Sequence, residues 1–242
     1  MKLTNKVVVI TGGSKGLGRA MAEILVKKGA RVVLCGKDAF GLKKTVDELG
    51  ATGFLADVTN EKDVLSLAKN TVDTFGNIDI WINNAGVWLP PKSIIDVNMD
   101  DVRDLFNVNI IGTIHGMRAA VEQMSKQENG MIVNVISTTA FDGMNGTSGS
   151  IYVTSKYALR GLTNVVRQEL KSSHIKLIGV YPGGIKTDLF NKEKPANIDQ
   201  FMSSEDVAQK IIENIELDKP EEQFIIKRHG QALFNEQKDL NL

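Results

Sequence analysis

The chain has 242 residues, 42% hydrophobic and 24% charged, which is enough apolar material for the core of one large α/β domain. Lys plus Arg and Asp plus Glu number 29 each, so no whole-molecule field recommends nucleic acid or an anionic membrane as a partner, and any recognition of charge is local. Cys35 is the single cysteine, which excludes an internal disulfide framework; within the apolar run RVVLCG it reads as a buried, inert thiol.

The first element, KVVVIT, is a short β-branched run ending in glycines; it is too short for the core of a secretory leader, and a cytoplasmic protein is expected. A helix follows from about Leu17 to Lys28, then the strand RVVLC and a helix through GLKKTVDEL. TGFLAD and EKDVLSLAKNTVDTF repeat the pattern, and NIDIWINNAG leads to a long helix near Met99 to Met124. GMIVNVIS, a helix from Ile151 to about Ser172, IKLIGVYPGG and a last strand in EEQFIIKR complete the alternation. Continuous apolar strands separated by helices specify a parallel sheet buried on both faces, so the expected fold is a doubly wound, Rossmann-type α/β sheet of about seven strands. No repeat, low-complexity tract or linker interrupts it, and residues 1–242 read as one domain. The polar stretch DLFNKEKPANIDQ, Asp188 to Gln200, reads as a mobile loop over the substrate.

In sheets of this kind ligands sit beyond the carboxyl ends of the strands. At the first strand end, TGGSKGLG places Gly12, Gly16 and Gly18 in a tight turn that opens a helix, with Ser14, Lys15 and Leu17 between them. Glycines there let backbone amides and the positive helix end approach a pyrophosphate. The absence of a Gly-Lys-Ser/Thr triplet excludes a Walker loop. Further on, Tyr152 and Lys156 are spaced so that a phenol and an ammonium share one helix face.

Together with NNAG, Asn83 to Gly86, these ordered motifs resemble the short-chain dehydrogenase/reductase family in its single-domain form, over about residues 5 to 190. The resemblance implies an oxidoreductase whose catalytic residues fall on Asn109, Ser137, Tyr152 and Lys156. It implies cofactor contacts from Gly12, Ser14, Lys15, Gly16, Leu17, Gly18, Lys37, Asp57, Val58, Asn84, Ala85, Gly86, Tyr152, Lys156, Pro182, Gly183, Ile185 and Thr187, with Asp57 at the adenine and the run PGGIKT at the nicotinamide end. Asn83 is expected to help hold the fourth strand and the cofactor. The family's usual serine-to-tyrosine spacing points to Thr139, whereas counting from Asn134 selects Ser137; Ser137 is preferred because FDGMNGTSG can absorb an insertion as a loop. The carboxyl end lacks the glycine-rich closing motif of the family's fatty-acid-synthesis reductases, which weakens assignment to acyl-carrier-protein substrates. The helices near Met99 to Met124 and Ile151 to Ser172 resemble the pair that builds the family's dimer contact, so a homodimer or homotetramer is expected.

The implied chemistry makes physical sense. A phenol of reference pKa about 10 donates a proton to an alkoxide formed by hydride transfer, but acting as a base near neutrality requires a shift of roughly three units, about 4 kcal/mol. A unit charge about 4 Å away supplies roughly that much at an effective dielectric near 20, so Lys156 is expected to lower the Tyr152 pKa and hold the nicotinamide ribose. Ser137 is assigned to the substrate oxygen and Asn109 to a water-linked proton path. An acidic residue at the second strand end usually marks a bare adenosine ribose, but here that position is Gly36, followed by Lys37, with Lys15 in the glycine turn; this resembles the family's NADP-preferring members, unless Asp38 turns inward. His115, His174 and His229 share no ligand spacing, so no catalytic metal is expected. Trp88, Met144 and Phe190 follow strand ends and are either pocket lining or ordinary apolar filling. The leading reading is an NADP(H)-dependent enzyme acting on a small carbonyl or alcohol substrate. A 3-oxoacyl-acyl-carrier-protein reductase is the runner-up, and a catalytically silent NADP-binding regulatory protein is the reading from another class.

Overall fold

The computed structural model describes residues 1–142, 149–190 and 193–228. Its centre is a seven-stranded parallel sheet with the order β3-β2-β1-β4-β5-β6-β7. The strands are β1 (Val7–Thr11), β2 (Arg31–Gly36), β3 (Thr52–Leu55), β4 (Ile80–Asn83), β5 (Gly130–Val135), β6 (Ile175–Pro182) and β7 (Gln223–Ile226). Helices α1 (Gly16–Lys27), α2 (Ala39–Leu49) and α3 (Glu61–Phe75) connect the first four. The later connections use α4 (Met99–Phe106), α5 (Gly112–Lys126), the short α6 (Thr139–Asp142), α7 (Ser150–Glu169) and α8 (Ser204–Glu216).

The period of two along each strand divides the core between the two faces of the sheet. Val8, Ile10, Leu34, Ile80, Ile82 and Val133 pack with Met21 and Leu25 of α1 and with Val207 and Ile211 of α8. Val9, Val33, Cys35, Trp81 and Ile132 point to the other face, against Val64 and Leu67 of α3 and Met117 and Ala120 of α5. Because both faces are covered, the strands are apolar throughout, which is why they read as continuous runs rather than alternating ones. The strand order reverses between β1 and β4, and the crevice at their carboxyl ends is where a sheet of this topology receives a ligand. No helix among the described residues is long and apolar enough to cross a membrane.

The long helix expected from Met99 to Met124 is not uniform. Between α4 and α5 the chain forms a π-turn, Asn107–Ile111, in which the amide of Gly112 reaches back to the Asn107 carbonyl. The extra residue in that turn re-aims Asn109, and such π-bulges inside helices are frequent at functional sites. Ser137 is followed by the helical turn α6, which takes in the first two residues of FDGMNGTSG; residues 143–148 of that expected loop lie outside the described residues, and Asp188–Phe190 and Ile198–Gln200 are short 3-10 turns.

Candidate active site

At the β1 end the glycine turn is clamped rather than free. Asn84 donates from its carboxamide to the carbonyls of Thr11 (3.0 Å) and Gly12 (3.1 Å), and the Thr11 hydroxyl accepts from the amides of Asn84 (3.0 Å) and Ala85 (3.1 Å). Gly12 has φ +63, and a Cβ there would stand 2.9 Å from the Ala85 α-carbon, so only glycine fits between the two strand ends. Asn84 therefore builds the turn, and Ala85 and Gly86 lie beside it. Thr187, from the segment after β6, rests against Gly16. The first turn of α1, entered through Lys15 and carrying buried Leu17 and Gly18, has no side-chain cap and no acidic residue. Uncapped amides at a helix start framed by a tight turn are what a phosphate needs, so these residues fit the pyrophosphate of a dinucleotide.

Around the β2 end, Lys15 and Lys37 are exposed and Ser14 lies against Gly36. Asp38 turns its carboxylate over the first turn of α2, towards Gly41. Burial works against the charge of Asp57, yet hydrogen bonds from the Thr59 amide (2.9 Å) and hydroxyl (2.8 Å), with the Lys37 charge, hold its carboxyl below the usual range. Val58 is buried against Gly112, and its carbonyl is bonded by the His115 ring at 2.9 Å, which gives that histidine a structural occupation. His174 is exposed, whereas His229 and Met144 lie outside the described residues.

At the β4–β5 end, α7 brings Tyr152 and Lys156 together, with the ammonium 5.5 Å from the centroid of the phenol ring. Lys156 is 6% exposed and makes no hydrogen bond or ion pair among the described residues. Its ammonium protons, not taken up by a hydrogen bond to the described residues, are free to be donated to a ribose hydroxyl beside it. Gly86 keeps this space open, lying next to Asn109 and Lys156. Burial pushes the Tyr152 phenol up to about 12, with the Ser137 hydrogen bond pulling the other way, and burial pushes Lys156 down to about 8. Desolvation is the larger influence on both groups and disfavours the charged form of each.

Of the two candidate hydroxyls, Ser137 faces the phenol. Thr139 stands behind it, donating to the Ser137 oxygen from both its amide (3.1 Å) and its hydroxyl (3.0 Å). With both lone pairs of that oxygen occupied, the Ser137 proton is left to be donated outward. Asn109 is almost fully buried, and its carboxamide exchanges bonds with the Val87 amide (2.8 Å) and carbonyl (3.0 Å) and donates to Ser155 (3.2 Å). Both of its donors are committed to protein. Ser155 in turn bonds the Tyr152 carbonyl at 2.7 Å, tying the π-turn to the first turns of α7. Thr139 was named by sequence as an alternative to Ser137 rather than as its support, and Thr11 and Ser155 were not singled out; the signal for Ser155 was a small hydroxyl immediately before Lys156.

Asn83 lies within the sheet rather than facing the crevice. It accepts from the Trp81 indole (2.8 Å) and donates to Asn134 (2.9 Å), which donates to Thr163 of α7 (2.9 Å). After β6, Pro182 accepts from the Thr138 amide and Gly183 donates to Ile226, while Ile185 forms a parallel bridge with Met202. Trp88 is buried edge-on against Phe190, and Phe190 against Phe201, so these rings join the loops after β4 and β6. A separate cleft opens at Tyr152, walled by Leu89, Pro90, Val97 and Ile151 with Lys92 also lining it.

The chain as a whole is similar to known proteins. A family model for short chain dehydrogenases matches residues 6–198. An uncharacterized oxidoreductase of Staphylococcus aureus (strain MW2) is 32% identical over 213 residues, covering 87% of this chain and 90% of the relative. The structure of a 3-ketoacyl-(acyl-carrier-protein) reductase from Brucella melitensis, complexed with NADH, is similar at a TM-score of 0.84 and 25% identity, over 93% of this chain and 97% of that one. A short chain dehydrogenase/reductase from Burkholderia phymatum in complex with NAD gives 0.81 and 28%, over 93% and 89%. The family match spans the glycine turn, the β4 end and the helix bearing Tyr152 and Lys156, and the chain belongs to the short-chain dehydrogenase/reductase family of oxidoreductases.

Proposed function

We propose that the protein is an NADP(H)-dependent reductase of a carbonyl compound, or the dehydrogenase of the corresponding secondary alcohol. The observation that carries this reading is the placement of the Lys156 ammonium over the ring of a phenol whose hydroxyl faces the outward-donating Ser137. When bound, the nicotinamide supplies or accepts the hydride. Tyr152 gives the substrate oxygen its proton, Ser137 donates a hydrogen bond to that oxygen, and Lys156 holds the ribose and stabilises charge on the phenol. Asn109 holds the Val87 segment against α7; any water path at this residue uses its remaining oxygen lone pairs rather than its amide protons. A phenol, protonated at neutral pH already at its ordinary pKa of about 10, is the acid that the reducing direction needs.

NADP(H) is preferred over NAD(H) because Gly36 offers no acid to the ribose, Lys15 and Lys37 are exposed beside it, and the Asp38 carboxylate lies over α2. The apolar walls of the cleft at Tyr152 suit a substrate with a hydrophobic body. Exposed Ile111, Tyr157 and Val165 on the π-turn and α7 support a homo-oligomer assembled through these helices. Likeness to the Brucella reductase gives 3-oxoacyl thioesters as the second substrate class.

The test is a panel of carbonyl compounds, 3-oxoacyl thioesters included, with NADPH and with NADH, followed at the nicotinamide absorbance. NADPH-dependent turnover that Tyr152→Phe lowers by at least about 100-fold, with nucleotide binding retained, is expected. Higher kcat/KM with NADH overturns the cofactor assignment; NADPH binding without turnover on the whole panel identifies a silent binder instead.

A further inference from the structure

We propose that Gly41 sets the preference for a 2′-phosphorylated cofactor, by giving the Asp38 carboxylate a place to lie away from the phosphate. This positioning role rests on the NADP(H) reading above. Asp38 follows Gly36 and Lys37 at the β2 end and is the N-cap of α2, with φ −89 and ψ 102. Its side chain makes no capping hydrogen bond. It occupies instead the volume that a side chain at position 41 would need: a Cβ there would stand 2.4 Å from the Asp38 Oδ2 and 3.2 Å from its Cγ.

Nothing in the backbone asks for glycine at this place. Gly41 lies inside α2 and is absent from the glycines of positive φ, and glycine is the poorest helix former after proline. What the missing side chain provides is room for a carboxylate. With Asp38 folded onto the helix, the charges near the β2 end among the described residues include the exposed Lys15 and Lys37, the Asp57 carboxylate, which is bonded by Thr59, and the Asp63 carboxylate, which accepts from the Asp57 amide. A methyl group at position 41 closes that volume, and the remaining side-chain rotamers return the carboxylate towards the Gly36–Lys37 turn or into water. A like charge within a few ångströms of a phosphate then weakens its binding by about tenfold, while a bare ribose hydroxyl is indifferent or gains an acceptor.

The experiment is calorimetric titration of the full chain with adenosine 2′,5′-bisphosphate and with 5′-AMP, for wild type, Gly41→Ala and the double variant Gly41→Ala/Asp38→Asn. The wild type is expected to bind the bisphosphate more tightly. Gly41→Ala should cut that preference by about tenfold with AMP affinity within about twofold of wild type, and the double variant should restore it. Thermal unfolding of Gly41→Ala at or above the wild-type temperature separates this effect from damage to α2. A wild-type preference for the bisphosphate that survives Gly41→Ala, or that Asp38→Asn does not restore, overturns the role of Gly41 while leaving the cofactor reading standing. A wild type that binds AMP at least as tightly as the bisphosphate overturns the cofactor reading itself.

Discussion

Thr139 orients the Ser137 hydroxyl. A serine hydroxyl ordinarily rotates to suit its neighbours, but two donors from Thr139 fix this one as an outward donor. Thr139→Val keeps the shape and the amide bond while removing the hydroxyl bond; kcat is expected to fall by about fivefold, the equivalent of about 1 kcal/mol, with KM little changed. Ser137→Ala should cost about 10- to 100-fold, and the double variant no more than Ser137→Ala alone, because Thr139 acts through the serine. Lys156 carries a pH signature. Its pKa falls to about 8 in the folded chain from an ordinary 10.5, so the unfolded chain binds more protons between those values and stability rises with pH across that window. Tyr152 works in the opposite sense: raised to about 12 from 10, it costs stability as pH climbs from 10. Urea unfolding should therefore show a gain from pH 8 to about 10 that is absent in Lys156→Met, whose apolar side chain has no charge to bury. Tyr181 offers a control for buried polar groups. Its hydroxyl is buried without a partner of hydrogen-bonding geometry although the Arg167 charge lies near it, so Tyr181→Phe is expected to leave stability unchanged or raise it by up to about 1 kcal/mol in the same assay.

Elements divide cleanly into those whose logic is local and those whose logic is not. The glycine turn, the β-branched runs and the Tyr152–Lys156 spacing were legible because each depends on a few neighbouring residues: backbone freedom, strand propensity, one helix face. The π-turn at Asn107–Ile111 was not, since the run NVNIIG contains no proline and the bulge is held by partners far along the chain, Val87 and Ser155. Counting from Asn134 selects Ser137 and the usual spacing selects Thr139; the structure hydrogen-bonds the two hydroxyls to each other at the start of the α6 turn, a contact that no spacing rule contains. The pKa of Tyr152 could not be read either, because spacing fixes which groups meet and burial decides what the meeting does. The buried amide chain from Trp81 through Asn83 and Asn134 to Thr163 is the least legible piece, a polar thread inside apolar strands. Asn134→Leu leaves the Asn83 carboxamide and the Thr163 hydroxyl short of a partner, and a loss of about 2 to 4 kcal/mol in urea unfolding is expected.

At the scale of the molecule, equal numbers of acidic and basic residues mean that the homo-oligomer proposed above rests on apolar surface rather than on a net field. Val165 is 59% exposed on α7, and placing a charge there by Val165→Glu should reduce the mass seen by light scattering to that of one chain while the far-ultraviolet circular dichroism stays unchanged. The thread of amides also has a reach beyond the sheet in which it lies. Thr163 stands two helical turns beyond Lys156 and three beyond Tyr152, on the same stripe of α7. Its bond to Asn134 works as a keyway: a roll of the helix by a single residue, about 100°, would unseat that bond and swing the phenol and the ammonium out of the crevice together. The sheet therefore sets the angular phase of the helix that bears the chemistry, and a helix that has slipped round its own axis announces itself as an orphaned amide in the core.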